Sequence, residues 1–191
     1  SEALDHVKIY YLHLRDNDIG DEGVERILSA ANSKHVVELS LTENVIGPRG
    51  YDAISRFVRR DDTEMKKLLF NCADGEAAKR IVDSISNKSK LQDIYLWSGV
   101  SGRDNETVIA ALPNVQRLVC DTSSLEALCG SNHNMKWLGI NTDAIVTSNP
   151  TIRKSLDINA RALYGTSMIK IVRCKLRNFY FRGGYCVHPF A

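Results

Sequence analysis

The chain has 191 residues, 43% of them hydrophobic and 25% charged, with a formal net charge of +2. That length suits one compact domain or a short repeat array rather than two full domains, and a chain this apolar and weakly charged is expected to fold. No apolar run approaches the roughly 18 residues of a membrane span, and no segment reads as a secretory leader. Five cysteines at irregular spacing do not read as a disulfide framework, which points to a reducing, intracellular setting, cytoplasmic or nuclear. Patterned sequence begins within a few residues of Ser1, as expected of a piece excised from a longer protein.

Residues 9–20 read Ile9-x-x-Leu12-x-Leu14-x-x-Asn17-x-Ile19-Gly20, and residues 36–47 read Val36-x-x-Leu39-x-Leu41-x-x-Asn44-x-Ile46-Gly47. The two frames agree position for position at an offset of 27, and Gly23 and Gly50 follow each at the same distance. Weaker frames follow: Met65-x-x-Leu68-x-Phe70, Leu91-x-x-Ile94-x-Leu96, Val115-x-x-Leu118-x-Cys120 and Met135-x-x-Leu138-x-Ile140. All four lack the asparagine, with Ala73, Gly99, Ser123 and Asp143 in its place.

This pattern resembles the leucine-rich repeat family, and N-x-I-G-x-x-G resembles its ribonuclease-inhibitor-like branch of long repeats. The resemblance implies an α/β solenoid: a right-handed curved horseshoe with parallel strands on the concave side and helices on the convex side. The residues support it independently. L-x-L is period-two alternation and puts two apolar side chains on one face of a short strand. The asparagine amide is suited to backbone groups left unpaired where the strand turns away, and the glycines fit a tight turn with positive φ.

Between the strands, Val24, Ile27, Leu28 and Ala31 predict a first helix. Ile54, Phe57 and Val58 predict a second, Ala77, Ile81 and Ile85 a third, and Val108, Ala111 and Leu112 a fourth. The frames lie 27, 29, 26, 24 and 20 residues apart, so the helices are expected to shrink toward the C-terminus. This gives about six repeats over residues 7–149. Asn149-Pro150 and the spacing of Leu156, Ile158, Ala162 and Leu163 predict a capping helix over 150–164.

In this frame the residues alternating with the core line an exposed face. One column alternates in sign through Glu38, Lys67, Asp93 and Arg117 and is expected to pair internally. Leu69, Tyr95, Trp97, Val119 and Trp137 form the unusual feature, a contiguous apolar and aromatic group of the kind that marks contact sites. These five are the expected partner-binding residues, with a gap beside Trp137 at Gly139.

Enzymatic signatures are absent: there is no H-E-x-x-H, C-x-x-C, G-x-x-x-x-G-K-[ST] or G-x-S-x-G. His6, His13, His35, His133 and His188 have no ligand spacing, so neither a metal nor another cofactor is expected. Cys72 and Cys120 read as packing residues; Cys174 and Cys186 have basic neighbours. Long leucine-rich repeats also occur in the GTPase-activating proteins of Ran, which use an asparagine near a strand end. Asn44 has such a place, although Asn17 shows it to be the repeat's own position.

The tail, residues 165–191, falls outside the repeat. Residues 151–191 carry eight basic side chains against Asp157 alone, a balance of +7, while residues 1–150 carry −5. Lys170, Arg173, Lys175, Arg177 and Arg182 form a basic set interleaved with aromatics, and Gly183-Gly184 could turn a hairpin packed on the cap. The expected function is a non-enzymatic scaffold that binds a protein partner on the concave face. The alternatives are a tail that binds nucleic acid, an anionic membrane or an acidic protein, and a regulator of a small GTPase. The sequence leaves the oligomeric state open.

Overall fold

The computed structural model describes residues 9–33, 35–72, 74–85, 89–97, 105–140, 149–161, 171–172 and 175–177. Strands and helices alternate in chain order as far as the fourth helix. They are β1 (Tyr11–His13), α1 (Asp21–Ser33), β2 (Glu38–Leu41), α2 (Pro48–Val58), β3 (Lys67–Asn71), α3 (Gly75–Ser84) and β4 (Asp93–Trp97), followed by α4 (Asn105–Val119), α5 (Leu125–Gly130), β5 (Trp137–Ile140) and α6 (Pro150–Arg161). The strands form one parallel sheet in the order β1-β2-β3-β4-β5. The four helical patterns read from the sequence fall within α1 to α4, with Ile85 as the C-cap residue of α3.

The repeat frame sets the register. Leu12, Leu39, Leu68, Ile94 and Leu138 align across the sheet, and Leu41, Phe70, Leu96 and Ile140 align one period-two step further on. Leu39, Leu41, Leu68, Phe70, Ile94 and Leu96 are buried against Val24, Leu28, Ile54, Phe57, Ile81 and Val115 of the helices, so the core lies between the sheet and one helical layer. Each rung begins in the same way. The carbonyl of Tyr10 accepts the N–H groups of both Val37 and Glu38; Val37 does this for Lys66 and Lys67, Lys66 for Gln92 and Asp93, and Gln92 for Lys136 and Trp137, at 2.7–3.1 Å.

The fifth expected strand is a correction. Val115, Leu118 and Cys120 stand at the end of α4 or just after it, and β5 pairs directly with β4. The residues that open each rung, Tyr11, Glu38, Lys67, Asp93 and Trp137, are therefore 27, 29, 26 and 44 residues apart, with two helices in the last interval. Val115, Leu118 and Val119 also satisfy the i, i+3, i+4 spacing of a helix face, and that face continues Leu112. Helices do not shorten steadily either: α4, with 15 residues, is longer than α1 with 13, and only α5, with 6, is short.

Helix starts follow local chemistry. Pro48 opens α2 with its fixed φ, the Asp74 carboxylate accepts from Glu76 N at 2.9 Å, Ser124 Oγ accepts from Ala127 N at 3.0 Å, and Asn149 Oδ1 accepts from Thr151 N and Ile152 N at 3.1 Å.

Positive φ is not what the repeat glycines supply. Gly47 has φ −103°, whereas the left-handed residues at equivalent places are Asp16 (57°) and Glu43 (58°), each just before the repeat asparagine. Glycine is needed at position 50 because a Cβ there would lie 2.7 Å from Ile46 Cγ2 and 2.8 Å from Asp21 Oδ1. The same Asp21 carboxylate accepts from Gly47 N at 2.6 Å, tying the start of α1 to the start of α2.

Asn44 does what its place in the motif suggests. Its Oδ1 accepts from Asn17 N (3.1 Å) and Ile19 N (2.9 Å), and its Nδ2 donates to Leu14 O (2.7 Å) and Leu41 O (3.0 Å). Both ends of the amide thus serve backbone groups that leave the sheet at two successive turns. Asn71, at the end of β3, accepts from Glu43 N at 2.5 Å and supplies part of the same service from a strand position.

Candidate functional site

The sheet face opposite the helices is a grid built by strand alternation. One column runs Tyr11, Glu38, Lys67, Asp93, Trp137; the next runs His13, Ser40, Leu69, Tyr95, Gly139; and Asn71 stands beside Trp97 in a third. Adjacent strands lie about 4.8 Å apart, so neighbours in a column touch or nearly touch.

Two of the five expected partner-binding residues come together. The Tyr95 and Trp137 rings stack with centroids 6.4 Å apart and planes 30° apart. Gly139, the cross-strand partner of Tyr95, puts no side chain between them, and Trp137 reaches Tyr95 diagonally. Trp137 remains 46% exposed, while Lys67 Nζ lies 5.6 Å from the centroid of the Tyr95 ring. Leu69 is half-buried beside Tyr95 on β3. Trp97 closes β4 opposite Asn71; its side chain lies outside the described residues.

Val119 is not on this face. It is fully buried in the helical layer at the end of α4, so it packs the core and cannot meet a partner. Arg117 sits on α4 as well, and Trp137 takes the place in the charged column expected for Arg117.

Charge pairing on the face is partial. Glu38 meets both His13 (3.2 Å) and Lys67 (3.1 Å), and Arg15 pairs with Glu43 across the first turn. Asp93, next in the column, has no ion pair among the described residues. Burial holds its carboxyl above the usual range, opposed by the nearby charges of Lys67 and Lys136 and reinforced by Glu38.

Lys175 is a further correction. It belongs to a helical stretch at 175–177 and is fully buried: its Nζ donates to Val119 O at 2.5 Å and to His133 Nδ1 at 3.1 Å. It therefore anchors the tail to the end of α4 instead of joining a surface patch. Ile171 and Val172, also helical, are buried too, and Arg177 is exposed. Lys170, Arg173 and Arg182, the Gly183-Gly184 hairpin, Cys174 and Cys186 lie outside the described residues.

Tyr10 and Tyr11 are exposed at the first rung, the latter by 71%, and neither is among the five expected partner-binding residues, although the repeat frame itself turns Tyr11 outward. The signal was present in the grid, where Tyr11 has the outward position equivalent to Trp137. Cys72 and Cys120 are buried, as read, and burial pushes the Cys72 thiol up to about 11. No group of three or more metal-ligating side chains occurs among the described residues, nor is any helix there long and apolar enough to cross a membrane.

The comparisons agree with this architecture. The family model described as Leucine Rich repeat matches residues 8–28 and 32–55, which hold the two strong frames. No curated protein matches the sequence. Among solved structures, the chain is similar to one titled Leiomodin-1 Actin-Binding Site 2 (ABS2), with a TM-score of 0.55 at 12% identity over 91% of this chain and 89% of that one. A likeness at that identity concerns the fold alone. Residues 8–28 and 32–55 are leucine-rich repeats, and the rung geometry they establish continues through a parallel sheet backed by helices.

Proposed function

We propose that this chain is a non-enzymatic interaction module that binds a protein partner across the sheet face opposite its helices. The observation that carries the reading is the Tyr95–Trp137 stack, an aromatic pair half-open to solvent at the β5 edge of a regular grid. Large aromatic side chains supply much contact area at small entropic cost and are enriched among interface hot spots. Leucine-rich repeat domains in general mediate protein–protein contacts, and the similar structure is titled an actin-binding site, a property of that protein. The stacked repeats are read as a right-handed, curved horseshoe with this face on its concave side, residues 150–164 as the terminal cap and 165–191 as a separate tail. Support for the cap comes from Ile152 and Leu156, which join the core, and from Asn159 Nδ2, which donates to Met135 O at 2.7 Å.

The rival readings have less support. Lys175 is committed to the interior, which weakens a basic surface on the tail. The amide of Asn44 is committed to backbone at both ends, which weakens a role for it in GTP hydrolysis.

The test is capture of partners from an extract by the wild-type chain and by the double variant Tyr95→Ala/Trp137→Ala. Specific capture lost in the variant, with an unchanged circular dichroism spectrum, supports the reading. Equal capture by both proteins, or unfolding of the variant, overturns it.

A further inference from the structure

On the same sheet face, one carboxylate has no direct partner among the described residues, although the charges of Lys67 and Lys136 reach it from beyond ion-pair distance. Glu38 is shared by His13 and Lys67, and Arg15 is matched by Glu43, but the Asp93 carboxylate has no hydrogen bond or ion pair among the described residues. Its cross-strand neighbour on the open side is Trp137, 46% exposed, whose ring is braced by Tyr95. A carboxylate beside an exposed indole presents two features that a guanidinium satisfies together. The carboxylate accepts its paired N–H groups, and the ring face attracts its delocalised charge. The face already contains one such contact, in which Lys67 lies over Tyr95. Gly139, on the rung of Tyr95, puts no side chain beside Trp137 on β5 and leaves the approach to the indole open.

Resting on the interaction-module reading, we infer that the Asp93–Trp137 corner receives an arginine side chain of the partner protein. Asp93 supplies the charge and Trp137 the stacking surface, with Tyr95 holding the indole in place. Burial raises the free energy of the Asp93 carboxylate in the unbound chain, and an incoming cation relieves that cost. Lysine would gain the charge contact but lose the planar stack and the paired donors, so arginine is the better fit.

The probe is N-acetyl-arginine amide, titrated into the full chain while the indole N–H resonances are followed by NMR; Trp97→Phe and Trp137→Phe variants assign the two signals. Expected is a saturable shift of the Trp137 signal, with binding at least about tenfold weaker in Asp93→Asn. N-acetyl-citrulline amide, neutral but of nearly the same shape, should leave that signal in place. The inference fails if citrulline shifts it equally, if Asp93→Asn leaves the affinity unchanged, or if no saturable shift appears. Partner capture separates this from the broader reading. Capture that needs Tyr95 and Trp137 but ignores Asp93→Asn leaves the binding face standing and removes the arginine.

Discussion

Lys175 donates a hydrogen bond from Nζ to Nδ1 of His133 at 3.1 Å, joining two buried or half-buried basic side chains 42 residues apart. Nε2 of His133 lies 3.3 Å from the carbonyl of Cys129. The ring satisfies both contacts only as the neutral tautomer with its proton on Nε2. Protonating Nδ1 would remove the acceptor and set two cations against each other.

Stability should therefore rise with pH in two windows. Burial first, then the charge of Lys175, lowers His133 from 6.5 to about 4, and burial lowers Lys175 from 10.5 to about 8. In both cases the unfolded chain binds the proton more readily, so each contribution is fully present above the unfolded value and is lost as pH falls through the folded one. Urea midpoints should drop between pH 6.5 and about 4, and climb between about 8 and 10.5. Lys175→Met keeps the stem and removes the ammonium, so the upper rise should vanish in that variant. A rise of the same size in Lys175→Met would contradict the account.

Asn44 and Asn17 hold the same place in the repeat but should not be worth the same. Asn44 bonds five backbone groups across two turns, whereas the Asn17 amide donates to Arg15 O at an exposed turn. Asn44→Ala should cost about 2–3 kcal/mol of unfolding free energy, and Asn17→Ala under about 1 kcal/mol. Denaturation curves of the two variants measured side by side decide the matter.

Two alanine substitutions at glycine should have opposite signs. At Gly50 the new methyl group would meet Ile46 and Asp21 well inside contact distance, and the cost should be about 1–3 kcal/mol. At Gly130, the last residue of α5, nothing lies within 4 Å, and alanine should add up to about 1 kcal/mol. Thermal unfolding of both variants gives the comparison.

Among the described cysteines, alkylation should be selective. Cys72 and Cys120 are buried and their thiols are raised by burial, while Cys129 is exposed. Brief treatment of the folded chain with iodoacetamide, followed by peptide mapping, should find Cys129 modified and the other two protected. Equal modification of Cys72 would show that the end of β3 opens readily.

The sheet was legible because its signal is redundant. In the first two repeats, leucine alternation, the asparagine and the glycines all mark the same frame, and Leu39 and Leu41 sit in the core as that frame requires. The frame at Val115 had only apolar spacing, with no asparagine, and spacing of that kind serves a helix face equally well. Val119 was lost to the candidate surface for that one reason. Lys175 was unreadable for a different one: a basic residue in a basic segment gives no sign of burial, and its partners, Val119 and His133, are distant in sequence. Trp137 was assigned to the correct face, but its meeting with Tyr95 depended on β5 lying next to β4.

One carbonyl at the head of each strand receives the first two N–H groups of the next, and this sets alignment without reference to what lies between. Gln92 secures Lys136 and Trp137 as firmly as Tyr10 secures Val37 and Glu38, although the intervening chain is far longer. The array should accordingly tolerate changes in the length of its connections, and the interval between β4 and β5 is where the fold has already accepted one. Grafting a whole helix into that interval would leave the pairing of Asp93 with Trp137 in place.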